Sequence, residues 1–270
     1  MANGAVVSYK SHALRIWCVE MAPKDGESRT QVELSDVLFL HDQYRESSYW
    51  QKHTHSMQHL ADKGVRSFAC ALPGFGRSEG DRNLARAPQK TRAFILSEII
   101  RLCGTVRPVI VSPTTSGAYS MPLLISNPTA MGGYLVDSTV GAWGGNGAQA
   151  LQETETMMEF IKSSVARLPE KGIEIPIKVL IGAKQKTSAL SGLWRNLAAV
   201  FPVSEVVEVQ GGVGAEVYNT SPKEFNDLVV RLCSLAALSN GHAGQVVRAT
   251  LRKKHNKVKD EVAKSVAVVV

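Results

Sequence analysis

The chain has 270 residues, enough for one large domain, and 44% of them are hydrophobic while 20% are charged. This balance supports a sizeable core and excludes wholesale disorder. The formal net charge is +7, from 31 Lys and Arg against 24 Asp and Glu, and it excludes no class of partner until its position along the chain is known.

Short apolar runs alternate with helical patterns along the chain. Seven apolar runs predict strands, at 14–21, 37–41, 67–72, 108–112, 133–137, 176–182 and 204–209. Six segments between them have the apolar spacing of helices, at 47–64, 87–103, 115–126, 149–167, 187–200 and 222–238. The later strands are almost continuously apolar, as parallel strands buried on both faces are. The alternation therefore predicts an α/β fold, a mostly parallel open sheet with helices on both faces.

Two further features of the sheet are predicted. The first two strands of the chain are expected to pair as an antiparallel hairpin at one edge. The Gly-rich segment 138–150 follows a strand at the edge where such sheets present their sites, and we expect it to be a mobile flap or a short cap insertion.

Three loops carry a family resemblance. They are His41-Asp42 after one strand, the Pro-Gly-x-Gly-x-Ser loop at 73–78, and the segment 112–120 (SPTTSGAYS) after the next strand. In this order and spacing they resemble the α/β-hydrolase fold, and 108–124 is similar in particular to the α/β-hydrolase-domain-containing protein 14 family. The similarity runs from about 37 to 235. It implies a domain with a minimal cap or none, and acyl or ester hydrolysis with links to lysine deacetylation and transcription-factor partners.

The resemblance places Thr114 at the nucleophile position. In this fold the nucleophile occupies a sharp strand-to-helix turn between two small residues, here Ser112 and Ser116. A β-branched residue is costly at the positive φ that the turn needs, so Thr114 indicates a lost or weakened nucleophile. The alternative register centres the turn on Ser116.

The base and acid positions are substituted as well. Relatives have His in a Gly-rich loop where this chain has Ala215, and no His occurs between His59 and His242. Relatives have Asp where this chain has Gln185, or Lys186 in the adjacent register. Asp137 could be a displaced acid, although it would have no imidazole to orient.

The oxyanion and pocket region is expected at His41, Asp42, Gln43 and Thr115. Family members have His-Gly where this chain has His41-Asp42. A carboxylate beside the oxyanion donors would oppose the developing charge unless it points away from them.

No cofactor or metal is expected. The chain lacks a dinucleotide fingerprint and a Walker A sequence, and no HExxH pattern accompanies His55 and His59. The cysteines form no CxxC pair, so they are expected to be free thiols in a reduced, soluble compartment. No apolar run is long enough to span a membrane and no signal-peptide pattern is seen, so we expect the cytoplasm, with the nucleus as the alternative. The four cysteines are Cys18, Cys70, Cys103 and Cys233.

The positive charge is concentrated near the C-terminus. Residues 239–270 contain seven Lys and Arg against two acidic residues, which leaves +5 on this basic extension and +2 on the domain at 1–238. The extension lacks interleaved aromatic residues for base stacking. A solvated extension is favoured, and contact with nucleic acid or an anionic membrane is expected only through it.

Loss of all three triad positions favours a non-catalytic protein that binds a small acyl ligand or a protein partner. The alternative is an active ester or acyl hydrolase, or an acyltransferase, with a rearranged site that uses Thr114 or Ser116.

Overall fold

A computed structural model describes residues 5–10, 14–23, 34–143, 147–168, 174–201, 203–210 and 216–239. Its centre is an eight-stranded sheet in the order β1-β2-β4-β3-β5-β6-β7-β8. Strands β3 to β8 are parallel, and β1 and β2 are antiparallel at one edge. The predicted open, mostly parallel sheet is confirmed. The strands are β1 (Ala5–Lys10), β2 (Arg15–Met21), β3 (Val37–Phe39), β4 (Ser67–Cys70), β5 (Val109–Pro113), β6 (Gly133–Asp137), β7 (Ile177–Gly182) and β8 (Ser204–Val209).

Helices cover both faces of the sheet, as predicted. One core joins the sheet to α3, α4, α5 and α6, and a second core on the opposite face joins it to α1, α2, α7 and α8. The central strands β3 to β7 are buried along their whole lengths, which explains their continuous apolar sequences. The helices are α1 (Tyr49–Lys52), α2 (Ser56–Asp62), α3 (Gln89–Leu102), α4 (Gly117–Ser126), α5 (Gly147–Val165), α6 (Ala189–Ala198), α7 (Val217–Thr220) and α8 (Pro222–Ser239).

The strand order changes direction between β3 and β5. The chain leaves β3 for α1 and α2 on one face and leaves β5 for α4 on the other. In open α/β sheets, the crevice at the carboxyl ends of strands at such a reversal is where ligands bind. The loops after β3 and β5, which the sequence singled out, meet there.

Three elements of the structure differ from the prediction. The antiparallel hairpin is present, but its outer strand β1 precedes the seven apolar runs. The single helix predicted at 47–64 is two helices, because His55 has φ of 52° in the left-handed region between them. His55 therefore precedes the helix that carries His59, and the two do not form one helical face. The short helix α7 was not predicted, because four residues show no period.

The cysteine prediction is wrong at one pair. Cys18 on β2 lies directly opposite Cys70 on the antiparallel β4, and the two form a disulfide. The sulfur of Cys103 lies 3.5 Å from that of Cys70 and 4.0 Å from that of Cys18, with all three side chains buried. The pairing arises from strand register, which the spacing of cysteines in the sequence does not reveal. The argument for a reduced compartment from four free thiols loses this support.

The connection from β6 to α5 covers 138–146, so any cap is minimal. Residues 144–146, the loop 211–215 with Ala215, and the basic extension from 240 lie outside the described residues. In the part of the chain that the structure describes, no helix has both the length and the apolar character needed to cross a bilayer.

Candidate functional site

Strand β5 ends in a sharp turn centred on Thr114. The backbone of Thr114 has φ of 39°, a left-handed conformation that is uncommon for a β-branched residue. A 3₁₀ turn, Thr114–Ser116, follows and leads into α4. Ser116 has φ of −65°, an ordinary right-handed conformation. The turn is therefore in the first of the two predicted registers.

Close packing against the loop after β6 shapes this turn. The backbone N–H of Val140 donates to the carbonyl oxygen of Thr114 at 2.9 Å. A Cβ placed on Gly117 would lie only 2.6 Å from Cγ2 of Thr139 and would clash with the backbone carbonyl of Val140. The first residue of α4 must be glycine for this loop to seat on the turn.

The residues that the structure describes place no base within hydrogen-bond distance of the Thr114 hydroxyl. Its Oγ1 is buried, and among the residues that the structure describes it has no hydrogen-bond partner. A nucleophilic hydroxyl needs a base within about 3 Å to accept its proton.

Ser116, the alternative nucleophile, is committed to a buried hydroxyl chain. Its Oγ donates to the carbonyl oxygen of Pro113 at 2.6 Å and lies 3.0 Å from Oγ of Ser112. Ser112 continues the chain to Ser120, which lies 2.8 Å from the hydroxyl of Tyr134. These hydroxyls link β5, α4 and β6 and face the core, so Ser116 serves packing.

His41 follows β3 and is held by backbone groups on both ring nitrogens. Its Nδ1 lies 2.7 Å from the carbonyl oxygen of Asp42, and its Nε2 accepts from the backbone N–H of Leu72 at 2.9 Å. Nδ1 faces a carbonyl oxygen and must carry a proton, whereas Nε2 accepts a hydrogen bond and carries none. His41 is therefore the neutral tautomer with its proton on Nδ1. Burial lowers the pKa of His41, which agrees with this assignment. The ring has no nitrogen left to accept a proton from Thr114.

In the expected oxyanion region, a threonine side chain accepts the hydrogen bond of a backbone N–H. The backbone N–H of Gln43 donates to Oγ1 of Thr115 at 3.1 Å. This contact joins the loop after β3 to the residue that follows Thr114. The Gln43 donor is therefore occupied by a side chain of the protein itself.

The Asp42 carboxylate is ion-paired and hydrogen-bonded to neighbouring groups of the protein. Arg45 forms an ion pair with it, the backbone N–H of Tyr44 donates to it at 2.7 Å, and the hydroxyl of Tyr218 lies 3.3 Å away. Arg45 also contacts Glu216 at 2.8 Å. Asp42 thus anchors a charged network that ties the loop after β3 to α7.

Asp137 and Gln185 lie at the ends of β6 and β7. Asp137 is fully buried and accepts from the backbone N–H of Tyr218 at 2.9 Å. Burial raises its pKa to about 7, against a smaller opposing effect of hydrogen bonds. Gln185, at the predicted acid position, accepts from the Ser138 hydroxyl at 2.8 Å. Asp137 lies beside the turn, because it pairs with Pro113 on the neighbouring strand β5.

The recess over the turn is filled with side chains. Within the described part of the chain it leaves no room for a water molecule. Sequence reasoning missed the residues that fill it, because Arg45, Tyr49 and Tyr218 show no motif and meet only in the fold. Its lining is His41, Asp42, Arg45, Tyr49, Trp50, Pro113 and Tyr218.

Curated relatives match less than half of the chain. Protein ABHD14A of Danio rerio is 27% identical over 125 residues, covering 46% of this chain and 45% of that protein. The putative protein-lysine deacylase ABHD14B of Pongo abelii is 32% identical over 99 residues, covering 37% and 47%. The chain thus spans less than half the length of these relatives. No protein-family model matches it.

Solved structures match over most of the chain. A CIB-like hydrolase of Thermoplasma acidophilum superposes with a TM-score of 0.65 and 19% identity, covering 86% of this chain and 98% of that one. A haloalkane dehalogenase variant of Bradyrhizobium elkanii gives 0.62 and 14%, covering 88% and 99%. This chain has the α/β-hydrolase fold and resembles the ABHD14 proteins.

In the α/β-hydrolase fold the nucleophile elbow is a sharp strand-to-helix turn, and this chain has such a turn at Thr114, between β5 and α4. The fold's scaffold is intact: the tight elbow, the glycine after it and the sheet edge beneath it are all present.

Proposed function

We propose that this chain is an α/β-hydrolase-fold protein with a degenerate triad, which acts by binding a small acyl ligand or a protein partner. The observation that carries the proposal is that no imidazole of the described residues lies within hydrogen-bond distance of Thr114 Oγ1. Both ring nitrogens of His41 are bound by backbone groups, and no other His lies between His59 and His242. Without a base, a threonine hydroxyl stays protonated and is a poor nucleophile at neutral pH.

The occupied oxyanion donor supports the same conclusion. A substrate carbonyl would have to displace Oγ1 of Thr115 before it could reach the N–H of Gln43. Loss of one oxyanion donor costs a factor of about 10²–10³ in rate, and loss of general-base catalysis costs about 10²–10⁴. Acting together, these losses would lower the rate by a factor of about 10⁴–10⁷.

A second candidate function is ester or acyl hydrolysis, or acyl transfer, by a rearranged site. The observation that favours it is Asp137, whose pKa of about 7 suits a general base. Asp137 pairs with Pro113, the residue before Thr114. Against this candidate, Thr114 Oγ1 has no hydrogen-bond partner in the described chain, Asp137 included.

Turnover of p-nitrophenyl acetate and butyrate separates the two candidates. We expect the protein to show no turnover above that of Thr114→Ala, and no covalent labelling by a fluorophosphonate probe. Thr129→Ala removes an exposed hydroxyl far from the elbow in sequence and is the matched control. Turnover well above background that is lost in both Thr114→Ala and Asp137→Asn, but kept in Thr129→Ala, would contradict the binding role.

A further inference from the structure

A second cavity lies beside the site, between the 3₁₀ turn Arg82–Arg86, α3, the loop after β6 and α5. Its volume is about 290 Å³, near the lower end of the range for small-molecule pockets. Thr114 does not line it. The residues that matter are Arg86, Arg92, Trp143 and Glu153.

Arg92 is a buried cation with an unused donor. Its side chain is 6% exposed. Nη1 donates to the carbonyl oxygens of Ala118 at 2.9 Å and Gly141 at 3.3 Å, and Nη2 donates to Glu153 at 3.2 Å. Nε is buried and has no partner among the described residues. Buried guanidinium N–H groups normally all have hydrogen-bond acceptors, and a buried N–H without an acceptor lowers the stability of the fold.

Tyr119 provides a second unmet polar group close by. Its side chain is fully buried, and its hydroxyl has no hydrogen-bond partner within the described ranges. Arg92 reaches the backbone beside Tyr119, since its Nη1 donates to the carbonyl oxygen of the preceding residue, Ala118. The ring of Tyr119 packs edge to face on Trp143, at 6.0 Å between centroids. Trp143 is itself a wall of the cavity.

The charge of the wall favours an anion. Arg86 and Arg92 are positive and Glu153 is negative, which gives the described lining a net charge of +1. Arg86 also donates from Nε to the carbonyl oxygen of Trp143 at 3.3 Å, which holds the aromatic wall beside the second cation. One negative charge in the cavity would neutralise this lining.

The geometry points to a binding site for a small molecule that carries one carboxylate. Nε–H of Arg92 and the second N–H of its Nη2 form one edge of the guanidinium, which a carboxylate binds with two parallel hydrogen bonds. Trp143, a wall of the cavity, offers an apolar face to the carbon skeleton. The site requires binding only, so it holds whether or not Thr114 turns over esters.

Calorimetric titration of the full chain with benzoate and butyrate tests the site, with benzamide and butyramide as uncharged partners of the same shape. We expect saturable binding of at least one carboxylate and at least about tenfold weaker binding of its amide. Thr114→Ala should bind the carboxylate as the unaltered protein does. No saturable binding of either carboxylate, or equal binding of acid and amide, would overturn the proposal.

Two variants locate the binding. Arg92→Lys keeps the charge but removes the planar edge, and should weaken carboxylate binding at least about tenfold. Because Arg92 also holds two backbone carbonyls, this variant could unfold, so Gln149→Trp is the second test. Gln149 is an exposed residue of the rim, and a bulky ring there should block the cavity without touching the core. Binding that is unchanged in a folded Gln149→Trp protein would refute the location. Ester turnover that depends on Thr114 would contradict the non-catalytic role and leave the carboxylate site standing.

Discussion

The buried carboxyl of Asp137 should make the stability of this protein fall as the pH rises. Asp137 is 0% exposed, and its pKa is raised from 3.8 to about 7, chiefly by burial. Between these two values the folded state keeps the proton and the unfolded state has lost it, so unfolding releases a proton and becomes easier as the pH increases. Each tenfold change in proton affinity corresponds to about 1.36 kcal/mol. Titration of Asp137 should therefore make the free energy of unfolding about 4 kcal/mol lower above neutral pH than at acid pH.

Asp137→Asn removes the titration and keeps most of the geometry. The amide oxygen of Asn can still accept from the backbone N–H of Tyr218, as the carboxylate does at 2.9 Å. The variant should gain stability relative to the unaltered protein as the pH rises from about 4 to about 7, by up to about 4 kcal/mol at the upper end. Below about pH 4 both states of the unaltered protein hold the proton, and the difference should be small and constant.

Urea denaturation of both proteins at about pH 5, 6, 7 and 8 measures the difference in their free energies of unfolding. The other titrating groups are the same in both proteins, so their contributions cancel in this difference. Asp62→Asn makes the same chemical change at an exposed position and should stay within about 0.5 kcal/mol at every pH. A stability difference for Asp137→Asn that does not change with pH would refute the reasoning. So would a difference that falls as the pH rises.

Three further perturbations test the packing and charge of the fold. Cys18→Ser removes a disulfide that closes 52 residues of chain, and chain entropy predicts a loss of about 4 kcal/mol in a urea unfolding curve under non-reducing conditions. Gly117→Ala should lose about 1–3 kcal/mol in the same measurement, because the new methyl group would push the loop after β6 off the elbow. Deleting 240–270 should remove salt-sensitive binding to anionic vesicles or nucleic acid, measured by co-sedimentation and filter binding, since those residues carry +5.

Each perturbation has a control. The difference between Cys18→Ser and the unaltered protein should vanish in excess reductant; a difference that persists would mean that lost packing, and not the crosslink, caused the effect. Gly192→Ala places a methyl in open space on α6 and should stabilise by up to about 1 kcal/mol. If Gly117→Ala behaves like Gly192→Ala, the elbow does not need glycine. Salt-sensitive binding that survives the deletion would place the binding charge on the domain.

Strand and helix positions were readable from the sequence because the apolar run of a strand and the apolar period of a helix are local features. The apolar run 133–137 coincides with β6, and 204–209 coincides with β8. The helix over 47–64 was misread because its break depends on one left-handed residue, His55, and His tolerates both conformations. Nothing in composition or period distinguishes such a residue from its helical neighbours.

Some features of the candidate site could likewise be predicted from the sequence, and others could not. The absence of His between His59 and His242 could be read from the sequence, because a residue type that is absent from a stretch of chain is absent from it in any fold. That Thr114 and not Ser116 centres the elbow was favoured by its distance from the end of β5. The occupied donor at Gln43 was not predictable, since it joins residues 72 positions apart through the register of β3 with β5.

By itself, therefore, the sequence determined the alternation of strands and helices, the sharp turn near Thr114, and the absence of His between His59 and His242, because each depends on local period or on which residue types are present. Only the tertiary structure decided that Cys18 meets Cys70, that both nitrogens of His41 are bound by backbone, and that Asp137 is sealed from water. Each of these depends on which distant segments become neighbours and on how much solvent they exclude, and no local pattern encodes either.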